Sequence, residues 1–533
     1  MDVQNLFLKH FQKNSIYYIF ILFLFLRLIG ITNELNDYHH FRQTYTASFA
    51  KYFYENGFDL FNPNLSIINY KNISEFQIFP FLVALLYKIF GFHDYLGRVL
   101  SLIFSVGTFF VFYWLVELYF NKLVANIALI FLTILPLSIF YSRVFMLEPM
   151  MLFLSVSMLY TFSRYLEDEN LIFFVISIVC TSLTLLIKIP TIYMLLPILF
   201  LMINKNGFRF LFQISNYIYG FFSILPAVYW YFIHNKLFPK NSIVDERIIN
   251  LYYGSDAWDY YLQLMKVPET WENIYLKSIA EYHLAIIVFI FFLLGLYLYF
   301  KGLFTQNNKI YLYSSKIWLF FYWFIGFNFF ILAFIAPNLA HEYYQLPIVL
   351  PCIVIASYFV AVVLNYNNKI YNIIIYILIL SILPFSAFKL KARLTQDTFY
   401  NQFSEYVKKY TKKESLIIVV DNTPRTEVFY FSDRNGFQLI IPAGFTFLTV
   451  SISDKQLREL IKDIEKHRKQ GATFLVTPYI EFPSYMSYLK EYLDKNYECK
   501  LGCDVTKERS LLKDKTIPGF IYDISTAKKK SRN

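Results

Sequence analysis

Asp37-Tyr38-His39-His40-Phe41-Arg42-Gln43-Thr44-Tyr45-Thr46-Ala47 is a polar, ionisable run in a chain otherwise dominated by apolar residues. It belongs to a longer interruption, residues 33–98, that also holds Asn62-Pro63, Ser74-Glu75-Phe76, Gly91 and Arg98. That interruption separates a first apolar segment, 16–32, from everything that follows. Of the 533 residues, 57% are hydrophobic and 21% aromatic, while only 16% are charged; a soluble protein would carry roughly a quarter charged. Apolar runs repeatedly reach the roughly 17–25 residues that carry a helix across a bilayer. The composition specifies a polytopic, α-helical membrane protein, and within it a loop rich in Asp, Arg and His calls for a functional explanation.

Apolar spans are expected at 16–32, 99–119, 123–141, 149–166, 171–187, 189–203, 212–233, 284–300, 317–336, 346–364 and 370–388, about eleven transmembrane helices. Lys9 and Lys13 precede the first and place the amino terminus in the cytoplasm. Segment 16–32 is long and lacks a small-residue cleavage site, so it reads as a retained anchor. Ile78–Phe90 is apolar but too short to cross and reads as interfacial. With that segment at the surface, Lys122, Arg164, Lys205, Arg209, Lys301, Lys309, Lys316 and Lys369 fall in cytoplasmic loops. The short outer loops then hold only Arg143 and Lys188, and the carboxyl terminus faces outward.

Phe41, Tyr45, Phe49, Tyr52 and Phe53 recur at helical spacing, which predicts an amphipathic helix over His40–Asn56 lying on the membrane. Phe79, Leu82, Leu86 and Ile89 predict a second interfacial helix in the same first outer loop, 33–98. A second large outer loop, 234–283, is too long for a connector alone; its Trp258-Asp259-Tyr260-Tyr261 reads as a packing segment. Beyond residue 390 the composition turns soluble. Strands are expected at 415–421 and 472–477 and helices at 454–470 and 483–496, a small α/β domain. The expected division is therefore 1–390, a transmembrane domain containing both outer loops, and 391–533, an extracytoplasmic α/β domain.

The net charge of +11 is spread over loop ends and a Lys528-Lys529-Lys530 tail. No basic domain lies behind it, so nucleic acid is not an expected partner; loop bias and anionic lipid account for the excess. Cys180 and Cys352 lie in apolar runs as small buried residues. Cys499 and Cys503 are close enough to pair in an oxidising compartment.

On the expected outer side the ionisable residues gather. Asp37, His39, His40, Arg42 and Glu75 lie in the first outer loop, Arg143 and Glu148 follow the third span, and Lys188 follows the fifth. His341, Glu342, Tyr343 and Tyr344 follow the ninth. Arginine and lysine in such a set suit a phosphate leaving group, and a carboxylate suits proton removal from an attacking hydroxyl or amine. Structural readings stand beside these. Arg27, near the outer end of the first span, fits a snorkelling arginine. Glu148 before Pro149 fits a helix start, and Lys188 before Pro190 an interface anchor. His39 and His40 have no third metal ligand fixed by spacing.

The order of these features resembles the polytopic GT-C glycosyltransferases of the protein-mannosyltransferase and aminoarabinose-transferase type, over residues 16–390. The resemblance is carried by His39-His40-Phe41-Arg42-Gln43-Thr44 with Thr46-Ala47, by Glu75-Phe76 leading through 81–91 to Arg98, and by Arg143-Val144-Phe145-Met146-Leu147-Glu148-Pro149. Lys188-Ile189-Pro190 and His341-Glu342-Tyr343-Tyr344-Gln345-Leu346-Pro347 continue it in the same order. It implies a sugar donor on polyprenyl phosphate, chemistry on the extracytoplasmic side of a bacterial plasma membrane, and an extracytoplasmic lipid, glycan or protein acceptor. The family's first-loop Asp-Glu pair falls here on Arg42 and Gln43, leaving Asp37 upstream; the base is therefore open among Asp37, Glu75 and Glu148. Arg42, Arg143, Lys188, His341 and Tyr344 are the candidates for holding the lipid phosphate. Family members with a metal use a glutamate at the position of Glu75, so a divalent cation at Glu75 is an option that the resemblance carries. The rival readings are a flippase for lipid-linked sugars and an inactive scaffold of the same fold. Against a flippase stands the one-sided gathering of polar residues, where alternating access favours midplane sites and paired repeats.

Overall fold

The computed structural model describes residues 3–68, 75–234, 257–305, 308–366, 368–421, 425–441, 454–479, 486–503 and 519–527. The Lys528–Lys530 tail, most of 234–257 and the start of the helix expected at 483 lie outside them. The chain forms two compact units: residues 1–33, 95–234 and 258–395 in one, and 34–94, 235–257 and 396–533 in the other.

The first unit is helical. Among its described residues four helices are long and apolar enough to cross a membrane, and a fifth if the bent pair Pro268–His283 and Ile287–Lys301 counts as one span. Asn14–Leu28, Lys122–Ile134, Leu171–Ile187 and Ile317–Ala333 are apolar but shorter. Side-chain oxygens of Asn121, Asn170 and Asn368 accept from backbone amides of the turns they precede, which starts three of these helices. Close packing uses small residues, as expected where lipid gives no hydrophobic drive between helices. A Cβ on Gly295 would collide with the Ile355 carbonyl.

The helices break where function was expected. Leu171–Ile187 ends at Lys188, in extended conformation, and a 3₁₀ turn Ile189–Met194 follows with Pro190 near its start; a proline has no amide for the carbonyl four residues back, here Leu186, and its ring crowds that carbonyl. Likewise Ile335–Ala340 ends at an extended His341, a 3₁₀ turn Glu342–Gln345 follows, and Leu346–Asn365 resumes with Pro347 in its first turn. Non-helical backbone at such depth is tolerated only inside protein or beside a cavity.

The second unit contains a five-stranded sheet in the order β2-β1-β3-β5-β4. β1 (Leu416–Asp421) pairs in parallel with β2 (Gly436–Ile440) and with β3 (Ala472–Thr477). β5 (Phe520–Asp523) runs antiparallel to β3 and β4 (Glu498–Leu501) antiparallel to β5. The strand expected at 472–477 is present with those bounds, the strand expected at 415–421 and the helix expected at 454–470 each differ by one residue at one end, and the helix expected at 483–496 is present over Ser487–Asn496. β2, β4 and β5 are additional; they are short strands without a clear alternating pattern.

β1 is apolar from Leu416 to Val420 because both of its faces are covered. Ile418 and Val420 pack with Leu460, Ile464, Leu489 and Leu493 of helices Asp454–Lys469 and Ser487–Asn496. Ile417 and Val419 face the opposite way and join Phe403, Val407, Val428 and Phe429, together with Phe49, Phe53, Leu65, Ile67 and Ala84. The helix His40–Asn56, expected to lie on the membrane, thus buries Phe49 and Phe53 against the α/β sheet. A helical period announces a buried face and does not say what covers it. Ile78–Phe90 differs: Phe79, Val83, Ala84 and Tyr87 are buried while Ile89 and Phe90 stay well exposed, as suits an interfacial segment.

The segment Tyr430–Gly436 fastens this arrangement. Gly436 donates to Ser66 O at 3.0 Å and accepts from Ile68 N at 2.8 Å, so residues 66–68 extend the sheet beyond β2. A Cβ at Gly436 would strike the Ile417 carbonyl. Lys51 pairs with Asp433, and Tyr430 donates its hydroxyl to Asp94 at 2.5 Å. The first outer loop, expected within the transmembrane domain, is in the structure one compact unit with 396–533.

Candidate functional site

In the helical unit, Glu148 opens the helix Glu148–Asp168 with Pro149 behind it. Its carboxylate also binds the Lys188 ammonium, with both side chains buried. Glu148 therefore both starts a helix and pairs with a buried cation. Lys188 Nζ lies 4.8 Å from the centre of the Tyr344 ring and 5.3 Å from that of Tyr343, a two-ring cation–π seat. Glu148 Oε2 has no hydrogen-bond partner among the described residues. The His341 ring stacks on Tyr343 at 5.2 Å.

The turn that carries Tyr343 and Tyr344 is held from beneath. Glu342 accepts from Arg393 Nη2 at 2.7 Å and from Tyr141 OH at 3.0 Å. His283 Nε2 lies 3.0 Å from the Glu342 carbonyl, so that nitrogen carries the proton. Gln345 Nε2 donates to Asn338 O at 2.7 Å. Arg393 and Tyr141 escaped sequence reading because each sits beside apolar residues with no motif of its own; the mark for Arg393 was a cation close to the end of the last span.

Beside this cluster lies a cavity of about 500 Å³, counting its open mouth. Glu148, Arg27, Tyr141 and Ser142 contribute polar groups to its wall, and Phe23, Leu132, Leu346 and Leu350 apolar ones. Arg27 does not snorkel. It is fully buried, and its guanidinium donates to Leu132 O at 2.9 Å, Thr133 O at 3.1 Å and Ser138 Oγ at 3.1 Å. It caps the carboxyl end of Lys122–Ile134, where the helix carbonyls are unsatisfied and the dipole is negative. Arg143 and Arg98, both buried, donate to the same Gly30 carbonyl at 3.0 Å.

In the second unit, Asp37 is fully buried, and Gln43 donates from Nε2 to its Oδ1 at 2.5 Å and to Tyr38 O at 3.1 Å. Arg42 Nη2 reaches Glu75 Oε1 at 2.7 Å and Oε2 at 2.6 Å, and the guanidinium lies 5.2 Å from the Tyr45 ring centre. Where the resemblance expected a carboxylate, Arg42 stands and binds the other candidate carboxylate. Outside the membrane-spanning part, burial and then the charge of Asp94 push the Tyr430 phenol well above its ordinary value, keeping it a donor. Burial pushes the Asp433 carboxyl up, but hydrogen bonds and charge from Lys51 and Lys413 outweigh it and hold it below its ordinary value.

The metal reading of Glu75 does not fit this donor set. Both carboxylate oxygens face a guanidinium, and no group of three or more His, Cys, Asp or Glu that could hold a metal occurs among the described residues.

Residues 77–231 match the model of the dolichyl-phosphate-mannose-protein mannosyltransferase family. That segment includes Arg98, Arg143, Glu148 and Lys188. No curated protein sequence matches the chain. In structure the chain is similar to ArnT from Cupriavidus metallidurans bound to undecaprenyl phosphate, with a TM-score of 0.56 at 10% identity, covering 97% of this chain and 98% of that one. It is also similar to the Archaeoglobus fulgidus oligosaccharyltransferase AglB in complex with an inhibitory peptide and a dolichol-phosphate, with a TM-score of 0.56 at 12% identity, covering 92% of this chain and 73% of that one. A structure of the same archaeal protein with Zn and sulfate matches with a TM-score of 0.55 at 12% identity, covering 91% of this chain and 72% of that one. At these identities the likeness is one of fold.

Proposed function

We propose that this chain is a GT-C glycosyltransferase of the PMT/ArnT-like type and moves a sugar from a polyprenyl-phosphate donor to an extracytoplasmic lipid, glycan or protein acceptor with inversion at the anomeric carbon. The observation that carries the reading is Lys188, buried between the Glu148 carboxylate and the Tyr343 and Tyr344 rings beside a largely apolar cavity. An amine seated in a dry place between a carboxylate and two ring faces is matched to a phosphate on an apolar chain. The relatives of the same fold that were solved with undecaprenyl phosphate and with dolichol-phosphate support this choice of donor.

In the proposed reaction, the acceptor oxygen or nitrogen forms a bond to the anomeric carbon as the bond from that carbon to the lipid-phosphate oxygen breaks. The bonding pair leaves with the phosphate, and the acceptor proton passes to a carboxylate. Lys188 with Tyr344, joined by Arg143 and His341, stabilises the phosphate as its charge grows, the larger electrostatic contribution. Asp37 is our choice of base: it is buried, and Gln43 fixes one of its oxygens. Glu75 is held by Arg42 and supports the loop, and Glu148 pairs with Lys188 and fixes its position.

The same reading keeps about eleven spans, an outward-facing second unit and a bacterial plasma membrane. The Cys499–Cys503 disulfide supports an oxidising compartment for that unit. A membrane-impermeant maleimide added to sealed cells after mild reduction should label Cys499 and Cys503; labelling only after lysis would reverse the orientation.

Sugar transfer is tested with purified protein in lipid, supplied with polyprenyl-phosphate sugars. Release of free polyprenyl phosphate that disappears in Asp37→Asn supports the reaction and its base. Donor that binds without turning over, while labelled lipid changes leaflets in vesicles, replaces the transferase with a flippase.

A further inference from the structure

The chain leaves β1 through Thr426–Ser432 to reach β2 on one side, and returns through Asp454–Lys469 to β3 on the other. The carboxyl ends of β1 and β3 therefore stand side by side where the winding reverses. Open α/β sheets leave their ligand crevice at that position.

Polar side chains converge there, all within the second unit. Asp421 ends β1 and is buried; its carboxylate accepts from Arg425 Nε at 2.9 Å and from the hydroxyl of Tyr479, which follows β3, at 3.3 Å. Arg425 lies 4.9 Å from the Tyr400 ring centre and 4.0 Å from Glu427 Oε1. His40 Nδ1 lies 2.9 Å from the same Glu427 oxygen, and His40 Nε2 lies 3.8 Å from Asp397. Glu427 is fully buried, and its other oxygen, Oε2, has no hydrogen-bond partner among the described residues. The Thr477 hydroxyl at the end of β3 is likewise buried without one. Buried polar atoms are normally satisfied, and an acceptor left without a donor is costly.

We propose that this carboxyl edge of β1 and β3 is a saccharide subsite, which takes an uncharged or ammonium-bearing sugar unit of the acceptor. Three carboxylates, Asp421, Glu427 and Asp397, stand around the Arg425 guanidinium and the His40 ring, so an anionic ligand is disfavoured and hydroxyl or ammonium donors suit the unfilled Glu427 oxygen. Arg425 offers the complementary donors to a sugar oxygen. Assigning the sugar to the acceptor rests on the transferase reading above; the binding itself does not, and it needs no donor.

The full-length protein in lipid nanodiscs, without any polyprenyl phosphate, is titrated with mannose, with glucosamine and with glucuronate, and binding is followed by saturation-transfer NMR. Mannose or glucosamine should bind and glucuronate should not. Glu427→Gln should weaken binding about tenfold, as for a lost hydrogen bond to a charged group. Because Glu427 is fully buried, Tyr400→Leu serves as a second variant with the same expected direction. Binding retained by both variants, absence of any sugar signal, or glucuronate binding as well as mannose would overturn the subsite. Polyprenyl-phosphate binding, measured separately on the same samples, reports on the transferase reading, so the two failures are distinguishable.

Discussion

Glu148 and Lys188, 40 positions apart in sequence, bind each other inside the helical unit with almost no exposure of either side chain. Removing one partner of a buried pair strands a charge and typically costs ~3–5 kcal/mol, whereas replacing both by apolar groups is often close to neutral. Lys188→Met should therefore lower thermal stability clearly, and Glu148→Leu with Lys188→Met should recover most of the loss. Binding of polyprenyl phosphate should fall ~10–100-fold in both, as expected for losing a charged hydrogen-bond donor. A double variant that regains donor affinity along with stability would remove Lys188 from the phosphate site.

Asp37→Asn keeps the shape of the Gln43 contact and removes the proton acceptor. Turnover should drop ~10²–10⁴-fold, the usual contribution of general-base catalysis, with donor affinity unchanged. Glu75→Gln should instead release Arg42 and act mainly on stability and KM. Single-turnover kinetics on both variants check this; the reverse pattern would move the base to Glu75.

Arg393 holds the Glu342 turn whose tyrosine rings seat the Lys188 ammonium. Arg393→Gln should weaken donor binding several-fold, less than Lys188→Met, through that turn. Equilibrium binding of the lipid phosphate to both variants checks the order, and equal losses would give Arg393 a direct role.

Asp433 is held below its ordinary pKa by Lys51 and Lys413 against the opposing effect of burial. A depressed carboxyl contributes stability that is present above its unfolded pKa and is lost as the pH falls through its folded pKa. The contact between the first outer loop and the α/β sheet should therefore loosen at strongly acidic pH. Hydrogen exchange of Ile68 and Gly436, compared between the unmodified chain and Asp433→Asn, checks this. The variant should show the loosened exchange already at neutral pH.

The end of a span at residue 187 was readable because Pro190 acts locally, through its ring and missing amide, on the Leu186 carbonyl; the break at His341 lies six residues before Pro347, beyond that reach. The membrane class was readable because hydropathy is a property of each segment. Arg27 was misread: a cation near a span end fits headgroups equally well, and only the packing of Lys122–Ile134 against the first helix brings the Leu132 and Thr133 carbonyls to it. Arg393 and Tyr141 became visible only when the Glu342 turn was seen to rest on them.

The sequence by itself determined what each segment needs: burial for the apolar runs, a two-sided cover for Leu416–Asp421, a partner for every charge sunk in a greasy chain. It did not determine who meets those needs. Tertiary structure put Phe49 and Phe53 against the sheet, tied Gly436 to Ser66, and paired Glu75 with Arg42. Periodicity and composition are set by neighbours along the chain. Pairing across tens or hundreds of residues is set by shape and charge that appear only when the units pack.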